Sequence, residues 1–147
     1  MTVNVRCFSH VGLTVTDIDR SVAFYREVLG FRIRWSDDHE GWRRVGLAVD
    51  AMSLELFSAH PVGQPITPVD LLYPGPYGRP KIALTVSDIE AAYQEVVDLG
   101  VPTIGPVKAT GVSRIFFVLD PDGTMIQLHQ FDAGYERVAE LWDGDDG

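Results

Sequence analysis

Apolar and polar positions alternate over residues 8–15, with Val11, Leu13 and Val15 set against His10, Gly12 and Thr14. That is the period of a strand with two unlike faces. The period then changes: Ile18, Val22, Tyr25 and Leu29 recur at helical spacing, which predicts an amphipathic helix over 17–29. Thr16, ahead of Asp17-Ile18-Asp19, reads as its N-cap with acid in the first turn, and Gly30 as the residue just past its end. Strand-like runs follow at about 31–36, 42–50 and 52–58, turned by Asp38-His39-Glu40-Gly41 and by Asp50-Ala51. The sum is one βαβββ unit.

The pattern then returns. HVGLTVTDI at 10–18 reappears as KIALTVSDI at 81–89, and an internal duplication of this length predicts two like modules. In the second copy a strand over 81–86 leads into Ser87-Asp88-Ile89-Glu90, read as a capping box, and a helix over 88–99 ending at Leu99-Gly100. Strands near 101–106, 112–119 and 124–130 complete it, the last pair turned by Asp120-Pro121-Asp122-Gly123. Between the copies, 59–80 carries Pro61, Pro65, Pro68, Pro74, Pro76 and Pro80 and reads as an extended linker. Residues 135–142 could add one or two helical turns, either docked on the surface or forming a flap over a pocket.

The expected fold class is α+β: two tandem βαβββ modules, about 8–58 and 81–131, within one domain spanning 1–147, followed by a tail at 132–147. The modules are expected to pair edge to edge into a curved mixed sheet of about eight strands, a cup-shaped half-barrel with both helices on its convex side.

At 147 residues the chain fits about one domain. A lone Cys7 excludes an internal disulfide, no opening stretch joins a basic start to an apolar run, and no apolar run approaches the ~20 residues of a membrane span. A reduced, cytoplasmic setting without a membrane partner is therefore expected. The formal charge of −9, part of it in the terminal DGDDG, comes with no basic stripe and argues against a nucleic-acid partner.

Since each helix needs an apolar sheet face, Val11, Leu13 and Val15, and Ile82, Leu84 and Val86, must face the helices. His10, Gly12 and Thr14, and Lys81, Ala83 and Thr85, then line the other side. By the same alternation Leu54, Leu56, Ile126 and Leu128 point to the helices, while Ser53, Glu55 and Phe57, and Met125, Gln127 and His129, point away. The duplication thus aligns His10 with Lys81 and Glu55 with Gln127, four side chains that would converge on the concave side if the two sheets curl together.

The duplicated unit, the strand-one His10, LGF at 29–31, LELF at 54–57 and DPDGTMIQL at 120–128 resemble the vicinal oxygen chelate superfamily of glyoxalases, bleomycin-resistance proteins and extradiol dioxygenases. The resemblance covers nearly all of 8–131. It implies a divalent ion held at the four aligned strand positions, with His10, Glu55 and Gln127 as its ligands here, all three being able to coordinate a first-row metal. Lys81 departs from that pattern, because an ammonium has no lone pair and repels a cation. No residue pattern points to an organic cofactor.

Three arrangements fit these residues: a metal on His10, Glu55 and Gln127 with Lys81 turned aside; Lys81 in place of the metal, balancing Glu55 and meeting a substrate oxygen; or a structural Lys81–Glu55 pair in a solvated cleft. One His and one carboxylate are too few for an oxygen-activating iron site, which disfavours ring cleavage. Proton transfer beside a carbonyl asks only for a base and a cation or donor, roles that Glu55 and Lys81 could fill as catalytic residues. His129 lies on the face of Gln127 and could carry a proton, whereas His39 and His60 fall in expected loops and receive no role. Arg44 and Phe116 are expected on the cup-facing side together with Val118, Arg44 as a bidentate anion ligand or as a partner of Asp or Glu. Trp35, Trp42 and Phe57 could line the pocket.

The function expected is an isomerase, epimerase, cyclase or lyase acting through an enolate-like state on a small carbonyl compound. The alternative is a non-catalytic protein that sequesters an aromatic natural product. Three polar groups in the cup favour the first, and the aromatics the second. Free sheet edges predict a homodimer.

Overall fold

Strand periodicity, helix period and glycine stops yield ten elements in the computed structural model, which describes residue 4, residues 9–58 and residues 80–134. The expectations for the linker over 59–79, for His60 and for 135–147 lie outside the described residues. In chain order the elements are β1 (Val11–Val15), α1 (Ile18–Glu27), β2 (Arg32–His39), β3 (Trp42–Val49) and β4 (Met52–Ser58). The second set is β5 (Lys81–Thr85), α2 (Ile89–Asp98), β6 (Thr103–Ala109), β7 (Ser113–Leu119) and β8 (Met125–Phe131). The chain divides into two compact units between Pro65 and Ile66.

The architecture is the α+β one expected, each module folding as βαβββ. Its eight strands form two four-stranded mixed sheets of identical plan, ordered β1-β4-β3-β2 and β5-β8-β7-β6. In each, the first strand runs parallel to the last and the remaining pairs are antiparallel.

Both helices begin one residue later than the expected caps. Asp17, not Thr16, is the N-cap of α1, its carboxylate accepting from Arg20 N at 3.0 Å, and Asp88, not Ser87, caps α2 by accepting from Ala91 N at 3.0 Å. A carboxylate there satisfies an orphan amide and also complements the helix dipole. Gly30 and Gly100 adopt φ of +73° and +67° just past the helix ends, a left-handed turn that side chains with a Cβ resist.

The faces segregate as alternation requires. In the first unit Leu13, Val15, Leu54 and Leu56 are buried with Ile18, Val22 and Tyr25 of α1, and Tyr25 meets Phe31 edge-on at 5.6 Å. In the second, Ile82, Ile126 and Leu128 are buried with Ile89 and Val96 of α2.

Each unit also carries the same polar tie between sheet and helix. Arg43 on β3 bonds Asp19, the second residue of α1, and its backbone N–H donates to Ser58 Oγ at 2.7 Å. Arg114 on β7 bonds Glu90, the second residue of α2, at 3.2 Å and Gln130 Oε1 at 2.8 Å. Arg114 is therefore the counterpart of Arg43. Gln130 Oε1 also accepts from Ile89 N at 3.1 Å, holding the start of α2 against β8. Among the described residues no helix is long and apolar enough to cross a membrane.

Candidate functional site

In the first unit the tight Asp50-Ala51 turn sets the β3–β4 register at Val49 opposite Met52, which puts Gly46 opposite Glu55 and Arg44 opposite Phe57. The parallel β1–β4 pairing places Gly12 beside Glu55 and Thr14 beside Phe57, so His10 belongs to the same face by alternation. Glu55 is the centre of this face, with a side chain only 13% exposed. Its Oε2 lies 3.2 Å from His10 Nε2, and its Oε1 accepts from Arg44 Nη1 at 3.2 Å.

A carboxylate only accepts, so for His10 to donate across this contact its imidazole proton must sit on Nε2. In the neutral ring Nδ1 then accepts from Ser9 Oγ, 2.8 Å away. Arg44 spans two carboxylates: it gives Asp37 Oδ2 two hydrogen bonds, at 2.8 and 3.1 Å, in addition to the one to Glu55. Its guanidinium lies over the Trp35 ring, 5.2 Å from the centroid. The Arg44 hydrogen bonds hold the Asp37 carboxyl below the usual carboxylate range, with His39 adding to the effect, and Asp37 in turn raises the guanidinium further.

Two of the other aromatic and histidine positions meet here. β2 runs further than the expected end near residue 36, through His39, whose ring stacks on Trp42 at 4.0 Å and bonds Asp37 at 3.0 Å. His39, given no role from the sequence, is thus tied to the site through Asp37. Trp42 in turn packs near Phe57, ring centroids 6.2 Å apart. Gly12 leaves room for Phe57: a Cβ there would stand 3.3 Å from that ring.

In the second unit Lys81 Nζ donates to Gln127 Oε1 at 2.7 Å. His129, buried on the same face, hydrogen-bonds Thr85 Oγ1 through Nε2 at 2.8 Å. Burial, and after it the charge of Lys81, lowers the His129 pKa from its ordinary value.

Phe116 is a correction. The Asp120–Thr124 turn sets Leu119 opposite Met125, so Phe117 stands opposite Gln127 while Phe116 stands opposite Leu128. Phe116 and Val118 therefore face α2, where Phe116 is 1% exposed and meets Tyr93 edge-on at 5.2 Å. Phe117 is the phenylalanine that shares a face with Gln127. Counting back from the turn could have found it.

The donors in hand bear on a divalent ion. His10 Nε2 and Glu55 Oε2 are close enough to share one cation, and an amide oxygen such as that of Gln127 is a suitable third type of ligand. Against this, Glu55 Oε1 and Gln127 Oε1 already accept from Arg44 and Lys81. Among the described residues no three His, Cys, Asp or Glu side chains gather as a metal would need. These side chains do not by themselves complete a divalent site.

A concavity of about 860 Å³ opens beside Glu55 in the first unit, within the range of small-molecule sites. His10, Arg32, Arg34, Trp35, Ser53 and Glu55 are among its walls.

Comparison with known proteins places these features in a family. The model of the Glyoxalase/Bleomycin resistance protein/Dioxygenase superfamily matches residues 8–128. A probable lactoylglutathione lyase of Vibrio parahaemolyticus is 32% identical over 128 residues, covering 82% of this chain and 88% of that protein. Among solved structures, the trypanothione-dependent glyoxalase I of Leishmania major is similar at 26% identity and a TM-score of 0.71, covering 93% of this chain and 94% of that one. An antibiotic binding protein from Streptomyces sp. is similar at 27% identity and a TM-score of 0.61, covering 86% of this chain and 99% of that one.

Proposed function

Because the chain belongs to the Glyoxalase/Bleomycin resistance protein/Dioxygenase superfamily, we propose that it is an enzyme moving a proton next to the carbonyl of a small molecule, with isomerase, epimerase, cyclase or lyase chemistry as the outcome. The observation that carries this reading is Glu55: a mostly buried carboxylate between an imidazole and a guanidinium, at the wall of an open concavity.

In the proposed step the Glu55 carboxylate takes the proton from the carbon beside the carbonyl. The C–H electron pair moves to the carbonyl oxygen, and the enolate oxygen so formed needs a positive partner. Arg44, bonded to Glu55 Oε1 at 3.2 Å, can supply it. Return of the proton to the opposite face, or to the neighbouring carbon, gives the epimer or isomer. His10 orients Glu55 and can relay the proton. The reading includes a homodimer, because each four-stranded sheet ends in edge strands that proteins tend to cover.

Likeness to lactoylglutathione lyases supports the enzymatic reading. Likeness to an antibiotic binding protein, together with a Trp35 ring 44% exposed, supports passive capture of an aromatic compound as the second reading. Incubation with S-lactoylglutathione and a panel of 2-hydroxy ketones in heavy water separates them. Protein-dependent deuterium uptake at the carbon next to the carbonyl, followed by proton NMR, is the expected result. Saturable binding of aromatic compounds with no uptake from any panel member would reject the enzyme in favour of the binding protein.

A further inference from the structure

β2 is interrupted by a bulge that changes what its wall of the pocket presents. Arg32 pairs with Ala48 and Ile33 with Leu47, but the next partner, Gly46, is met by Trp35, leaving Arg34 as the extra residue. Regular alternation would have sent Trp35 to the face of Ile33. With the bulge, Arg32, Arg34 and Trp35 all line the concavity that holds Glu55. Trp35 lies over the sheet at Gly46, where any Cβ would run into its ring, so glycine at 46 is what lets the indole reach the pocket wall.

The two arginines differ from the other strand arginines. Arg43, Arg44 and Arg114 each bond a carboxylate. Among the described residues no ion pair or side-chain hydrogen bond engages Arg32 or Arg34, in a chain with 21 acidic and 12 basic residues. Of the two carboxylates among the lining residues, Glu55 bonds Arg44, which it shares with Asp37, and neither Glu55 nor Asp50 forms an ion pair with Arg32 or Arg34. Two guanidinium groups at the rim are thus without a carboxylate partner among the described residues, and guanidinium forks suit the planar oxygens of a carboxylate or the tetrahedral ones of a phosphate.

We infer that the ligand of this pocket is an anionic carbonyl compound, whose carboxylate or phosphate is bound by Arg32 and Arg34 while its carbon skeleton crosses Trp35 toward Glu55. This rests on the proposed function for the role of Glu55 and names the substrate class that the same site takes. Arg32 and Arg34 are specificity-determining residues in this account, since a neutral analogue would lose only their contribution.

The test compares phenylglyoxylate with its neutral amide, two probes of the same shape that differ in charge, by calorimetric titration of the full chain at low ionic strength. The acid is expected to bind about tenfold more tightly, with the preference shrinking as salt is added. In an Arg32→Gln, Arg34→Gln double variant with parental circular dichroism, the acid-to-amide ratio should fall to about one. Equal binding of the two probes by the parent, or a preference that survives in the double variant, overturns the inference and leaves the proposed function standing. Binding of neither probe overturns both. Competition identifies the oxyanion: displacement by inorganic phosphate in preference to acetate points to a phosphate ester, and the reverse to a carboxylic acid, either of which supports the inference.

Discussion

Replacing Glu55 by Gln keeps the shape of the side chain and removes its charge. Arg44 remains bonded to Asp37 by two hydrogen bonds after the change, so no guanidinium is orphaned. The glutamine oxygen can still accept from Arg44, while its amide group faces an imidazole that can accept when protonated on Nδ1 toward Ser9. What is lost is the charge assistance on two contacts of 3.2 Å at a side chain 13% exposed, about 1–2 kcal/mol of stability. The same substitution removes the only proposed base, and loss of a positioned base costs about 10²–10⁴ in rate, or about 3–5 kcal/mol on the barrier. Urea unfolding and deuterium uptake from the responsive carbonyl compound are to be measured on the same preparation. A variant that stays folded and loses at least about a hundredfold in uptake is expected. Uptake within about twofold of the parent would refute the assignment of Glu55 as the base, whatever happens to stability.

Phe116→Ala should destabilise by about 3–5 kcal/mol, because it empties a site under α2. Its affinity for pocket ligands, measured where the variant is folded, should match the parent, and a selective loss of affinity would mean that the ring faces the ligand after all. His129 has its pKa lowered from the ordinary value by burial and then by Lys81, so the unfolded chain binds its proton first. The stability tied to neutral His129 is complete above about pH 6.5 and is lost as the pH falls from there through the lower folded-state value. Denaturant titrations from pH 8 to 5 should therefore fall more steeply for the parent than for His129→Gln, and parallel curves would contradict this. Lys81→His would exchange the ammonium bonded to Gln127 for an imidazole able to coordinate, so nickel or zinc retained after dialysis should rise clearly over the parent. No rise would count against Lys81 as the residue that keeps a cation away.

Much of the fold is legible in strand and helix periods, because burial on one face forces the alternation that the sequence displays. Leu54 and Leu56 inward with Glu55 outward is a local rule obeyed locally. The features missed depend on pairing across strands. Alternation along the strand puts Phe116 on the cup-facing side, yet its face is set by the length of the turn after Leu119, which differs from the turn after Val49. The bulge at Arg34 leaves no mark in hydropathy, since an extra residue in one strand shows itself only against its partner. The caps shifted by one residue because both hydroxyl and carboxylate side chains can cap, and here the carboxylates do. At the site, His10 and Glu55 come together as their shared face implies, whereas the link from Arg44 through Asp37 to His39 needed the β2–β3 register to be seen.

The order β1-β4-β3-β2 has a consequence for how the chain is made. Among the described residues, every pairing partner of the first four strands lies within residues 11–58, and β1 must wait for β4, its parallel neighbour, to leave the ribosome. The β2–β3 and β3–β4 hairpins can zip first, on a timescale of microseconds. The slower event is the closure that brings β1 alongside β4 across the intervening helix and hairpins. Once that closure is made, the first unit has its full set of strand partners while the second is still being translated. Its sheet can thus be in place before a second copy of the same plan emerges, which limits mispairing between β1 and β8 or between β5 and β4, the error that two modules of like topology in one nascent chain would otherwise invite.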